Sequence, residues 1–171
     1  MVTLRGRDVL LRPATEEDAD KLVAILAEPA VARWWPPFDR ARVLEELVAE
    51  RPDEEGFVIE ADGQVVGYIQ AAEEPDPEFR SASIDLFLAT RAQGHGLGPQ
   101  AIRVLAADLL DRRGHHRITI DPVAENERAI TAYAKVGFRP VGRLRHYQRM
   151  TDGTWADALL MDLLVDELVR E

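Results

Sequence analysis

The stretch "LFLATRAQGHGLGPQAIRVLAADLL", Leu86 to Leu110, decides how this chain is read. An apolar segment runs into three glycines at alternate positions, Gly94, Gly96 and Gly98, and then into a helical pattern. Glycine suits backbone that must approach another group closely or adopt a positive φ, and elsewhere it costs entropy. A helix that follows such a loop presents unpaired N–H groups and a partial positive charge at its first turn. Strand, glycine loop and helix together predict an anion site, and phosphate is the usual anion held this way.

Outward from this stretch, the chain reads as alternating short elements. "VLLRPAT" is a strand ended by Pro13, and Thr15 has the type and place of an N-cap, with Glu16, Glu17 and Asp18 in the first turn. Leu22, Ile25 and Leu26 share one face of that helix. "VARWWPPF" breaks the pattern at Pro36 and Pro37, after which Asp39 can cap a second helix. "GFVIEADGQVVGYIQAA" reads as a hairpin closed by Asp62-Gly63, and Thr151-Asp152-Gly153 signals another near the end. A helix from about Gly98 to Arg113 follows the glycine loop, "HRITIDP" is a short strand, and a last helix begins at Glu125 or Asn126 and stops at Gly137. The order β-α-α-β-β-β-α-β-α-β-β predicts one α/β domain over residues 1–171 with a mixed sheet.

Composition narrows the function. The formal charge is −10, from 31 acidic and 21 basic residues. Nucleic acid is a poor partner for such a chain, because binding it depends on neutralising phosphates with cations. A cationic substrate is modestly favoured. The chain has no cysteine, which removes a thiol nucleophile, disulfides and thiolate zinc sites. His115 and His116 lack metal-ligand spacing, so no metal is expected. No apolar run approaches the ~18–20 residues of a membrane span, and "MVTLRGRDVLLRP" lacks a signal-peptide core, so a cytoplasmic location without membrane partners is expected.

Three phosphate motifs compete for the glycine loop. A Walker loop would end in Gly-Lys-Ser/Thr, but Gly98 is followed by Pro99 and Gln100. A Rossmann fingerprint counted from Gly94 places its third glycine on Pro99. A Q-x-x-G-x-G pattern is met by Gln93, Gly96 and Gly98.

With that pattern, and with "NERAITAYAKVGFRPVG" (Asn126 to Gly142) matching N-x-x-A-x-x-x-Y-x-x-x-G-F through Asn126, Ala129, Tyr133, Gly137 and Phe138, the chain resembles the GNAT superfamily of acetyl-CoA-dependent N-acetyltransferases. "VARWW", "GYIQ", "SIDLFLA" and "TIDPVAENERAITAYAKVGF" are most similar to aminoglycoside 6′-N-acetyltransferases, whereas "GRLRHYQRMTDGTWADALLMDLL" looks like ribosomal-protein N-terminal acetyltransferases. The resemblance implies a single-domain α/β (α+β) GNAT fold, with a central mixed, mostly antiparallel sheet of six to seven strands and four helices. It also implies acetyl-CoA as co-substrate, held by Leu88, by the loop Gln93, Gly94, His95, Gly96, Leu97, Gly98 and Pro99, and by Asn126 and Ala129. Pro99 is compatible, since an early helical position has no N–H to lose.

Each remaining candidate has a structural reading beside the functional one. Asp85 interrupts "SASIDLFLAT" and shares a strand face with Ser83 and Phe87, as a solvent-facing residue or, by the resemblance, the general base. Asp121 either starts the turn at Pro122 or, by the resemblance, binds a substrate ammonium. Tyr133 sits with Ile130 on an apolar helix face, as core or, by the resemblance, as proton donor to the CoA thiolate. Asn126 can cap its helix and, by the resemblance, contact the pantetheine arm. Trp34 or Trp35 can wall the acceptor site, with Gln70 of "GYIQ" beside it, and the acidic loop with Glu73 and Glu74 is a solvated run or overhangs the cleft to attract a polycation.

The leading expectation is direct acetylation of the 6′-amine of an aminoglycoside or similar cationic small amine, by a monomer or homodimer. Acetylation of protein N-termini or another small amine is the second, and an acyl-CoA sensor the third.

Overall fold

A computed structural model describes residues 2–171. The strands are β1 (Leu4–Arg5), β2 (Leu10–Pro13), β3 (Glu54–Ala61), β4 (Gln64–Glu74), β5 (Ser81–Leu88), β6 (Arg117–Ile120), β7 (Arg139–Arg149) and β8 (Trp155–Leu164). The helices are α1 (Ala19–Leu26), α2 (Pro29–Ala32), α3 (Arg40–Val43), α4 (Leu97–Ala107) and α5 (Glu127–Val136). All strands join one sheet in the order β1-β2-β3-β4-β5-β6-β8-β7. Every pairing is antiparallel except β5 with β6. The sheet thus has one strand more than the six to seven expected, because Leu4 and Arg5 pair with Leu11 and Leu10. The extra helix is α2, with Pro29 in its first turn, where a missing N–H costs nothing.

Local signals formed what they predicted. Asp39 caps α3 by accepting from Arg42 N at 2.8 Å, and Asn126 caps α5 by accepting from Ala129 N at 3.3 Å. Asp62 and Gly63 have φ of 51° and 72°, as a type I′ turn requires. Gly137 ends α5 at φ 117°, and a β-carbon there would lie 2.1 Å from the Glu167 carbonyl oxygen.

The two sheet faces are covered differently. Tyr68 and Phe87 lie on one, where the Tyr68 hydroxyl donates to the Leu47 carbonyl beyond α3 at 3.0 Å and Trp35 meets Phe87 edge-on at 5.1 Å. Leu88 lies on the other, beneath Gly98 of α4. The ladder between β5 and β6 pairs only Ala82 with Ile118 and Ser83 with Thr119. Beyond those pairs the strands part, and the resulting gap positions the site.

Candidate functional site

A cleft of about 1040 Å³ runs from the groove between α4 and α5, through this gap, to the tryptophan wall after α2. At one end is the glycine loop. Gly94 and Gly96 have φ of 80° and 76°, and no side chain caps the first turn of α4. A β-carbon at Gly96 would meet open space, so a ligand can approach the backbone there. The Gln93 amide donates to the Leu88 carbonyl at 3.0 Å, which closes the loop onto its strand. Arg128 then donates to Gln93 Oε1 at 3.3 Å, placing a cation over the glycines. Uncapped helix, glycines and arginine fit a pyrophosphate.

At the gap stand three titratable groups. Asp85 and Asp121 project from the same sheet face, two residues past Ser83 and Thr119. Asp85 is open to the cleft yet walled by protein, and its only hydrogen bond among the described residues is from Leu86 N at 3.0 Å. Its carboxyl is pushed up to about 7, first by loss of hydration and then by the charge of Asp121. Surrounding protein displaces much of the water near the carboxylate, even though the cleft reaches it. Asp121 accepts a hydrogen bond from the Tyr147 hydroxyl at 2.8 Å. Among the described residues, no lysine, arginine or histidine pairs with either carboxylate. The Tyr133 phenol is raised, first by burial and then by the fields of Asp85 and Asp121, and its ring packs on Phe138.

Of the residues singled out in the sequence, the cleft brings together Trp34, Trp35, Asp85, Leu88, Gln93, Gly94, Gly96, Leu97, Gly98, Pro99, Asp121, Asn126, Ala129 and Tyr133. His95 is exposed in the loop and does not line it. Gln70 is opposite Asp85 in the ladder, but its side-chain amide lies 3.4 Å from the Tyr68 hydroxyl and it stays outside the lining.

Glu73 requires a correction: it does not overhang the cleft. It is opposite Ala82, so its side chain falls on the α4 face, away from Asp85. There it accepts from Arg113 at 2.7 Å and meets His115 Nε2 at 2.5 Å. Arg113 also pairs with Glu55 and with Asp108. Glu74 is exposed at the strand end, and its carboxylate accepts from Asp76 N at 3.0 Å.

Sequence reasoning missed Arg128 and the segment Tyr147, Gln148 and Arg149, all of which line the cleft. The signal for Arg128 was its place two residues into the last helix. "HYQR" carries no comparable spacing.

Residues 8–139 match the family model described as acetyltransferase (GNAT) domain. The chain is 26% identical over 171 residues to the spermidine N(1)-acetyltransferase of Escherichia coli K12, covering 97% of this chain and 91% of that protein. It is 29% identical over 161 residues to the aminoglycoside N(6′)-acetyltransferase type 1 of Klebsiella pneumoniae, covering 83% and 79%. Among solved structures, Mycobacterium smegmatis RimJ in complex with CoA-disulfide superposes with a TM-score of 0.84 at 29% identity, covering 98% of this chain and 88% of that one.

Proposed function

The chain belongs to the acetyltransferase (GNAT) family, and on that premise we propose that it moves an acetyl group from acetyl-CoA to a primary amine of a small polycation, most specifically the 6′-amine of an aminoglycoside. The observation that carries this reading is the pair Asp85 and Asp121, two carboxylates at one gap with no protein cation paired to either among the described residues. Carboxylates brought together are costly unless a cation joins them. A substrate ammonium is a cation of the right kind.

The chain's residues divide the work. The uncapped turn at Leu97 and Gly98, with Arg128 above it, holds the pyrophosphate. Bound acetyl-CoA supplies an acetyl thioester. Asp85, with its carboxyl near 7, takes a proton from the acceptor ammonium, leaving the neutral amine that attacks. Tyr133, whose phenol stays protonated across the working range, gives a proton to the thiolate as the C–S bond breaks and regains one from the nitrogen as the amide forms. Trp34 and Trp35 wall the acceptor end. No covalent intermediate on the enzyme is needed, consistent with a chain without cysteine.

A protein amino terminus is the second reading, favoured by Arg149, which lines the cleft without an ion pair among the described residues and would suit an acidic group on the acceptor. A thiol-release assay with acetyl-CoA and a panel of paromomycin, spermidine and N-terminal peptides tests both. Turnover of paromomycin supports the first reading, turnover of peptides alone replaces it with the second, and thiol release with none of these amines overturns both.

A further inference from the structure

β7 reaches the cleft through a distortion. Its register with β8 slips between Leu144 and Gln148, and inside the slip His146 has a φ of 47°. Few residues other than glycine enter that left-handed region, and a bulky one held there needs support. Asp157 of β8 supplies it: Oδ1 accepts from His146 N at 2.8 Å and Oδ2 from Arg143 Nε at 2.7 Å. A bulge re-aims the side chain beside it. Here that side chain is Tyr147, half-exposed, whose hydroxyl donates to Asp121 Oδ2 at 2.8 Å. The next residue, Gln148, donates to the Trp34 carbonyl at 3.0 Å. One short segment thus ties the carboxylate floor to the tryptophan wall.

An aspartate carboxylate turns on a broad torsion, so without a fixed partner its oxygens have no set direction. Asp121 has no arginine or lysine to hold it, and Tyr147 is the one side chain among the described residues that hydrogen-bonds to it. The bond is a charge-assisted one. We propose that Tyr147 is an acceptor-positioning residue: the clamped bulge keeps its hydroxyl on Asp121 Oδ2, sets the plane of that carboxylate and leaves Oδ1 to receive the acceptor ammonium. This rests on the amine-acetylation reading for its substrate, but the contact itself does not. The Tyr147 phenol is raised to about 12, chiefly by its bond to Asp121, which accords with a proton held there.

The test is a double-mutant cycle of Tyr147→Phe and Asp121→Asn, with Asp157→Ala as a third variant that leaves Tyr147 in place. Tyr147→Phe raises the acceptor KM about 10-fold, the scale of one hydrogen bond to a charged group, while kcat and the acetyl-CoA KM stay within about twofold. In the Asp121→Asn background the same change adds nothing further, and Asp157→Ala reproduces the KM effect. Should no amine be turned over, calorimetric affinity for spermidine in the presence of CoA replaces KM, so the proposed reaction can fail while the positioning role is still decided. Carbon-13 tyrosine spectra give a readout independent of any acceptor: Asp121→Asn brings the Tyr147 titration down toward the ordinary tyrosine range. An unchanged acceptor affinity in Tyr147→Phe, additive effects in the cycle, no spermidine binding, or a Tyr147 titration indifferent to Asp121 each overturns the proposal.

Discussion

Asp85 and Asp121 lie on one face of the sheet on either side of the gap between β5 and β6, each two residues beyond the last pair that joins these two strands. Parallel pairing stops at Ser83 and Thr119, so the two carboxylates meet across open cleft instead of a ladder. Their proximity has consequences for pH.

Activity should rise with pH through a midpoint near 7, because Asp85 must lose its proton to act as base and its carboxyl is raised to about 7. Asp121→Asn removes the neighbouring charge and should move that midpoint to lower pH. Profiles of kcat/KM for the two proteins check this, and coincident midpoints would count against the coupling.

The same shift acts on stability with a definite sign. A carboxyl raised in the folded state favours folding at low pH, and this contribution is lost as pH rises from the ordinary value of 3.8 to about 7. Asp85→Asn should therefore melt higher than wild type above pH 7, with the gap closing toward pH 4. Melting curves across that range decide it.

Tyr133→Phe should lower turnover by about 10²-fold, within the usual range for removing an acid–base group. Acetyl-CoA affinity should hardly change, since the ring still packs on Phe138. Full turnover under conditions where chemistry limits the rate would return Tyr133 to a packing role.

Gly96→Val should abolish acetyl-CoA binding. Gly96 has a φ of 76°, which a β-branched residue resists, and the space beside it is where the anion would sit. Calorimetry with the folded variant gives the answer; undiminished affinity would remove the loop from the cofactor site.

Glu73→Gln should leave the acceptor KM alone and cost stability, on the order of 2 kcal/mol for a charged partner lost from a partly buried network. The Glu73 carboxyl is lowered, with the bonds from His115 and Arg113 outweighing burial, so its contribution is present above the ordinary carboxylate range and fades as pH falls through it. The deficit of the variant should shrink in acid. A raised acceptor KM at unchanged stability would restore Glu73 to the cleft.

The sequence by itself determined the elements whose causes are local: the glycine loop before α4, the caps Asp39 and Asn126, the turn at Asp62 and Gly63, and the strand face shared by Ser83, Asp85 and Phe87. Each depends on residues a few positions apart, so spacing reports it. What spacing does not carry is which distant groups meet. Glu73 was legible as acidic, yet its partners Arg113 and His115 lie 40 and 42 residues further on, and they draw it into an ion network on the other face. Tyr147 reaches Asp121 only because β7 slips its register against β8 and His146 accepts a left-handed backbone under the hold of Asp157. Between Leu144 and Gln148 β7 advances four residues while β8 advances two, from Ala158 to Ala156, so the spacing of "RLRHYQRM" does not report where Tyr147 points. Local chemistry is why the glycine loop could be read from the sequence. The proposed acceptor end was decided by tertiary structure, where strands far apart in the chain part, slip and meet.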